Sequence, residues 1–194
     1  MVGSNGQVPK EVLDAAFLPA SVAVVGVPRS QKLGKLFFDA QKDPGFSGPV
    51  YPINPNADEI DGVKAYPTIA AVGENVDYAI ICTHPDTVPD ALRDCAAAGV
   101  KAAAVFSSGF SELGEEDGDR RAEALAAAIA ETGVRVIGPN CMGVYSPEVG
   151  LAISPGMPGR LGDVAFVAQS GSLTTMFAQE AIKAGFATSK AVSM

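Results

Sequence analysis

A doubly wound α/β fold, a parallel sheet covered by helices on both sides, is what this 194-residue sequence predicts. Two observations carry that expectation. Short, nearly continuous apolar runs alternate with amphipathic helical segments, and glycines stand where the helices should stop. Strands apolar on both faces belong in a sheet buried on both faces. Right-handed crossovers then place helices on either side of it.

The elements follow in order. Residues 21–26 (SVAVVG) form the first strand, and Leu33, Leu36, Phe37 and Ala40 take the i, i+3, i+4, i+7 spacing of one helix face. Residues 50–53 (VYPI) form the second strand. Pro52 removes a ladder donor there and puts this strand at an edge or a strand end. The third strand is 78–82 (YAIIC), followed by a helix with Val88, Ala91, Leu92 and Cys95 on one face and Gly99 as its stop. Residues 101–106 (KAAAVF) make the fourth strand. A helix carrying Ala122, Leu125, Ala126 and Ile129 comes next, is closed by Gly133, and leads into the fifth strand at 134–137 (VRVI).

This sheet closes near residue 143, so residues 1–143 are read as one domain. Residues 144–162 carry three prolines and four glycines without helical spacing, which reads as an inter-domain connection. A new strand at 164–168 (VAFVA) leads to a helix with Leu173, Met176, Phe177 and Ala184 on one face and Gly185 after it, and to a strand start at 190–194. So little sheet is not a domain. Residues 163–194 are therefore expected to open a truncated second domain.

Composition narrows the partners. Apolar residues make up 47% and charged residues 19%, which excludes a disordered chain. Fourteen basic against 22 acidic residues leave a net charge of −8, so neither nucleic acid nor an anionic membrane surface finds a basic footprint. No apolar run reaches the roughly 18 residues of a spanning helix, and the N-terminus lacks a signal-type segment. Cys82, Cys95, Cys141 and the lone His84 offer neither a disulfide framework nor a metal site. A cytoplasmic location is expected.

In an open parallel sheet, ligands sit beyond the carboxyl ends of the strands. Five such ends carry turn-forming residues: Gly26, Pro28, Arg29, Ser30, Gln31, Lys32 and Gly34; then Asn54, Pro55 and Asn56; then Thr83, His84 and Pro85; then Ser107, Ser108 and Gly109; then Gly138, Pro139 and Asn140. Together they predict a ligand cleft on one rim. Arg29, Lys32 and Lys35 beside a helix start suit a polyphosphate or pyrophosphate, with a solvated basic turn as the alternative. The spacing argues against a dinucleotide fingerprint, because Val27-Pro28 follow the first glycine and Asn54 holds the acidic position. It also fails as a P-loop, since seven residues separate Gly26 from Gly34. Ser170 is not a nucleophile elbow, as no histidine follows it. His84 is read as a loop residue or a ligand contact, and the acidic run 112–119 as a cap on the next helix. Ser170, Gly171 and Ser172 open a helix directly after a strand, which suits a phosphate, simple N-capping, or both.

The wording of these segments resembles the α subunit of succinyl-CoA synthetase and, more closely, the NDP-forming acyl-CoA synthetases such as ADP-forming acetate–CoA ligase. VIGPNCMG at 136–143 and VAFVAQSGSL at 164–173 carry the likeness, with AVVG at 23–26 and YPINP at 51–55 upstream. The resemblance implies a Rossmann-like CoA-binding domain with coenzyme A lying across the five strand ends. It also implies an acid–CoA ligase that joins a carboxylic acid to CoA with ATP or GTP cleavage, through an acyl phosphate and a phosphohistidine. The helix starting at Ser170–Ser172 would face that phosphohistidine, which the resemblance puts past residue 194; His84 does not match it, so no catalytic residue is expected in this chain. ATP, ADP and Mg2+ enter only through an ATP-grasp subunit or domain. Alone, the chain is expected not to complete the ligation. A CoA-binding regulatory module without turnover is the alternative, and it does not need the 164–194 extension. Association of copies through apolar surface on the second unit is left open.

Overall fold

The computed structural model describes residues 8–30, 32–43 and 45–194. A short helix α1 (Lys10–Phe17) precedes strand β1 (Val22–Val25), helix α2 (Leu33–Ala40) and strand β2 (Val50–Ile53). A hairpin of β3 (Glu59–Ile60) and β4 (Val63–Lys64) turns at Asp61-Gly62 and leads to β5 (Tyr78–Ile81). Then come α3 (Val88–Ala97), β6 (Ala102–Val105), α4 (Glu116–Thr132) and β7 (Arg135–Ile137). Strand β8 (Gly143–Tyr145), β9 (Val164–Ala168), α5 (Gly171–Lys183) and β10 (Thr188–Ser193) complete the chain.

The five predicted strands form one sheet in the order β2-β1-β5-β6-β7, with every pairing parallel. Residues of β1, β5 and β6 are buried throughout, as the unbroken apolar runs require. β2 is an edge strand, where Pro52 was expected to put it, and its outer side is covered by Tyr66, whose N–H donates to the Pro52 carbonyl at 3.0 Å. Alternate residues face opposite sides. Ala23, Val25, Ala79, Ile81, Ala103 and Val105 meet Val88, Leu92 and Cys95 of α3 and Leu125 and Ala128 of α4. Val22, Val24, Tyr78, Ile80, Ala102 and Ala104 meet Ala15 and Ala16 of α1 and Phe37 and Phe38 of α2. Gly133, at φ +69, ends α4 as its position predicts, and its N–H closes on the Ile129 carbonyl at 2.9 Å.

A second sheet has the order β8-β10-β9, with β8 antiparallel and β9 parallel to β10. Tyr145, Ala152, Ile153 and Met157 pack with Ala178 of α5, Ala191 of β10 and Ala40 of α2 in a third core. Gln41 joins the two regions. Its buried amide donates to the Phe37 and Ala152 carbonyls at 2.9 and 2.8 Å and accepts from the Ala152 N–H at 3.1 Å, so its polar groups are satisfied where an orphan would be costly. No helix among the described residues is long and apolar enough to cross a membrane.

Candidate functional site

The chain runs from β1 outward to β2 and then returns across β1 to β5, so the strand order reverses between β1 and β5. At such a switch point the loops leaving two neighbouring strands diverge and open a crevice. Here that crevice is a cleft of about 480 Å³ lined by Gly26, Pro28, Lys32, Leu33, Gly34 and Cys82. Two glycines keep it open. Gly26 sits at φ +88, and a Cβ there would lie 3.0 Å from the Cys82 carbonyl oxygen and from Thr83 Cγ2. A Cβ on Gly34 would come within 2.6 Å of the Gly26 carbonyl oxygen. The first turn of α2 starts at this point without a side-chain cap. Its leading amides have no intrahelical acceptor, and they carry the positive end of the helix dipole.

The other strand ends are tied to this one in sequence across the rim. Asn54 Nδ2 donates to the Val27 carbonyl at 2.7 Å while its Oδ1 accepts from the Asn56 N–H at 2.8 Å. Arg29 donates to the Asn56 carbonyl at 2.7 Å. Ser107 Oγ donates to the Thr83 carbonyl at 2.6 Å, and the Asn140 N–H to the Ser107 carbonyl at 3.0 Å. Pro85 lies against Gly109, 3.2 Å from where a Cβ on that glycine would be. Pro55, Ser30 and Ser108 lie within these same turns, and Pro139 lies between Gly138 and Asn140 in the last of them. Among the described residues Thr83 Oγ1 is buried without a protein partner, an orphaned polar atom of the kind a ligand can satisfy. Gln31 lies outside the described residues.

Lys35 requires a correction. Expected beside Arg29 and Lys32 in an anion-binding trio, it is only 2% exposed and its Nζ binds Asp39 at 2.7 Å and Asp61. Burial alone would lower its pKa, but the hydrogen bonds it donates to both carboxylates raise it above the ordinary value. The helical phase explains the difference: Lys35 is on the face of α2 turned toward the β3–β4 hairpin. Glu112 also departs from a simple solvent-facing cap, since its carboxylate accepts from the Gly109 and Phe110 N–H groups at 2.6 and 3.0 Å. Burial would raise its pKa, yet those backbone donors bring it below the ordinary value. His84 is exposed, and its Nδ1 accepts from the Asp86 N–H at 3.4 Å. Burial pushes the Cys82 thiol up to about 12 and Cys141 up to about 11, so both stay protonated at neutral pH and offer no thiolate nucleophile.

At the start of α5, Ser170 Oγ accepts from the Leu173 N–H at 3.2 Å and caps the helix. Gly171 follows, with Ser172 exposed beside it. A Cβ on Gly171 would fall 2.1 Å from Met142 Cγ, and the Met142 N–H donates to Ser193 Oγ at 3.3 Å. Met142, in the loop after β7, thus packs on the first residue of α5 and is hydrogen-bonded to the end of β10, so the five-loop rim and this second helix start are neighbours.

Residues 20–147, from just before β1 through β8, match the family model described as a CoA binding domain. The chain belongs to the CoA-binding domain family. All five rim loops of this CoA-binding domain fall inside the matched range, and α5 falls beyond it. The chain is 40% identical over 162 residues to an ADP-forming acetate–CoA ligase II of Archaeoglobus fulgidus, covering 80% of this chain and 23% of that one. It is 35% identical over 184 residues to the α subunit of an ADP-forming acetate–CoA ligase II of Pyrococcus furiosus, covering 94% and 40%. The structure of a Ca. Korarchaeum cryptofilum dinucleotide-forming acetyl-coenzyme A synthetase 1, in complex with phosphate and ADP, superposes with a TM-score of 0.83 at 36% identity, over 93% of this chain and 39% of that one. The chain therefore spans two fifths or less of the length of these three relatives.

Three contacts at the site escaped the sequence reading: Arg121 with Asp86 and the Gly109 carbonyl, Glu112 with the Gly109 and Phe110 amides, and Met142 with Gly171. Arg121 reaches Asp86 across 35 residues and Met142 reaches Ser193 across 51, and no local spacing announces either partner, although Met142 stands within the 136–143 segment. Glu112 follows Gly109 by three residues, a spacing that could have signalled a carboxylate folding back onto loop amides.

Proposed function

We propose that this chain is the CoA-binding portion of an NDP-forming acid–CoA ligase, which makes an acyl-CoA from a small carboxylic acid, CoA and ATP or GTP. The observation that carries the reading is the row of five loops tied together along one rim, with Gly26 and Gly34 leaving the switch point open. Coenzyme A fits that row. Its diphosphate belongs at the α2 N-terminus beside Lys32 and Arg29, where backbone amides and local cations face an anion. Leu33, 61% exposed at the cleft mouth, offers apolar contact. Its pantetheine arm would run past Thr83, Pro85 and the Ser107–Gly109 loop toward Pro139 and Asn140, where backbone groups and hydroxyls suit its amides. CoA supplies the thiol that becomes the thioester; this chain's residues hold it in place.

Residues 1–143 are proposed as the CoA-binding domain, 144–162 as the connection and 163–194 as the start of a ligase domain. Ser170, Gly171 and Ser172 are proposed to face a phosphoryl group in transit, held by the amides at the helix start. The phosphohistidine would come from outside residues 1–194, and an ATP-grasp subunit or domain would bind ATP or ADP with Mg2+. The protein is proposed to act in the cytoplasm. The unit from β9 to β10 favours this ligase reading over a regulatory CoA-binding module, which has no use for it.

Calorimetry with CoA, NADH and ATP tests the assignment. CoA should bind, with little heat from the other two. Lys32→Ala should weaken CoA binding about tenfold and flatten its salt dependence, as the loss of a phosphate-paired cation does. NADH binding with CoA silent would overturn the assignment.

A further inference from the structure

We propose that Arg121 is a positioning residue for the coenzyme cleft: from α4 it clamps the loop after β6 against the turn after β5, and CoA affinity depends on that clamp. The inference rests on the coenzyme reading above. Arg121 is only 20% exposed, and its Nε and Nη2 meet the two oxygens of Asp86 at 2.6 and 3.4 Å. Its Nη1 donates to the Gly109 carbonyl at 3.3 Å. On the other side, Glu112 takes the Gly109 N–H. The residue at the tip of this loop is therefore gripped at both its N–H and its C=O, by side chains of opposite charge.

The geometry needs a guanidinium. A planar fork with several donors can serve a carboxylate and a carbonyl together, whereas an ammonium is a single point donor. It also needs Gly109, which at φ +103 lets the backbone pass between Pro85 and Arg121. Loops left untied are mobile, and ordering them on binding reduces affinity. By this argument Arg121 sets CoA affinity without touching CoA, through a loop held in place before the ligand arrives.

CoA titrations of the wild-type chain and of R121A, R121K, D86A and D86A/R121A test this. R121A should bind CoA about tenfold more weakly, with R121K in between. The double variant should bind no more weakly than R121A, because both changes break one clamp. The salt dependence of CoA affinity in R121A should stay as steep as in the wild type, unlike that of Lys32→Ala. Hydrogen exchange at the Gly109 and Phe110 amides should quicken. If R121A does not fold, R121K and D86A carry the same comparisons. A lowered melting temperature with unchanged CoA affinity would reduce Arg121 to a structural residue and overturn the proposal. A flattened salt dependence would make it a direct phosphate ligand and overturn it equally. Wild-type protein silent toward CoA would overturn both the coenzyme reading and the clamp, whereas wild-type binding matched by R121A overturns the clamp alone.

Discussion

Gly34→Ala is expected to push α2 off the end of β1, lowering stability by about 2–3 kcal/mol and CoA affinity by at least about tenfold. The added Cβ would meet the Gly26 carbonyl oxygen at 2.6 Å, Pro28 Cδ at 3.1 Å and Cys82 Cβ at 3.4 Å. None of these is the loose end of a flexible side chain. Gly26 is itself fixed, since its N–H donates to the Ile53 carbonyl at 3.0 Å and it lies against Cys82 and Thr83. Helix α2 must therefore give way, and with it the amides and Lys32 that face the cleft. Gly62→Ala supplies the control. Gly62, unlike Gly34, adopts positive φ, but nothing lies within 4 Å of its missing Cβ, so only the local strain of about 1 kcal/mol is expected. Denaturant unfolding and CoA calorimetry on the two variants should separate them. Wild-type CoA affinity in Gly34→Ala would show that the cleft mouth is not where the ligand lies.

What the sequence made legible, and what it did not, divides by the range of the interaction. Strands β1, β5 and β6 were readable because burial on both faces leaves an unbroken apolar run, and the stop of α4 because Gly133 takes a backbone conformation other residues resist. The rim of five loops followed from a rule about parallel sheets, with no need to know the sheet order. Ser170 was readable as a cap, since its partner is only three residues away. Helix α1 was missed: it is eight residues long, and its wholly buried residues are Ala15 and Ala16, too small for an apolar stripe to stand out. Their smallness suits close packing on the alanines of β6. Strand β8 was hidden among prolines and glycines, and only its antiparallel pairing with β10, more than 40 residues later, defines it. At the site, Asn54 was read from its type as a ligand contact, and the structure shows its amide occupied at both ends by the first two loops. Lys35 shows the limit most plainly, because Asp39 lies one helical turn away in sequence but Asp61 becomes its partner only after the hairpin folds over α2.

Lys35→Ala should cost about 2 kcal/mol of stability and leave the salt dependence of CoA binding as it is. A charged amine this buried persists because two carboxylates receive it, and removing it leaves Asp39 and Asp61 with only the more exposed Lys42 beside them, at 3.4 and 3.6 Å. The cost falls below that of a fully buried pair, since Asp39 and Asp61 are 29% and 46% exposed and water screens them. Lys42, 3.4 Å from Asp39 and stacked 4.5 Å over the Phe38 ring, takes up part of the charge. The effect has a defined pH window. With its pKa raised from the ordinary 10.5, Lys35 contributes fully below that pH and loses its contribution as pH rises through the folded-state value. Asp61, drawn below its ordinary 3.8 chiefly by the Lys35 hydrogen bond, contributes above that pH and loses it as the solution becomes more acidic. The stability difference between wild type and Lys35→Ala should therefore hold steady between these limits and shrink beyond either. Unfolding measured across pH checks it. A flattened salt dependence of CoA binding in Lys35→Ala, matching that of Lys32→Ala, would return Lys35 to the phosphate site; stability loss without it separates the cation that holds the hairpin onto α2 from the one that faces the ligand.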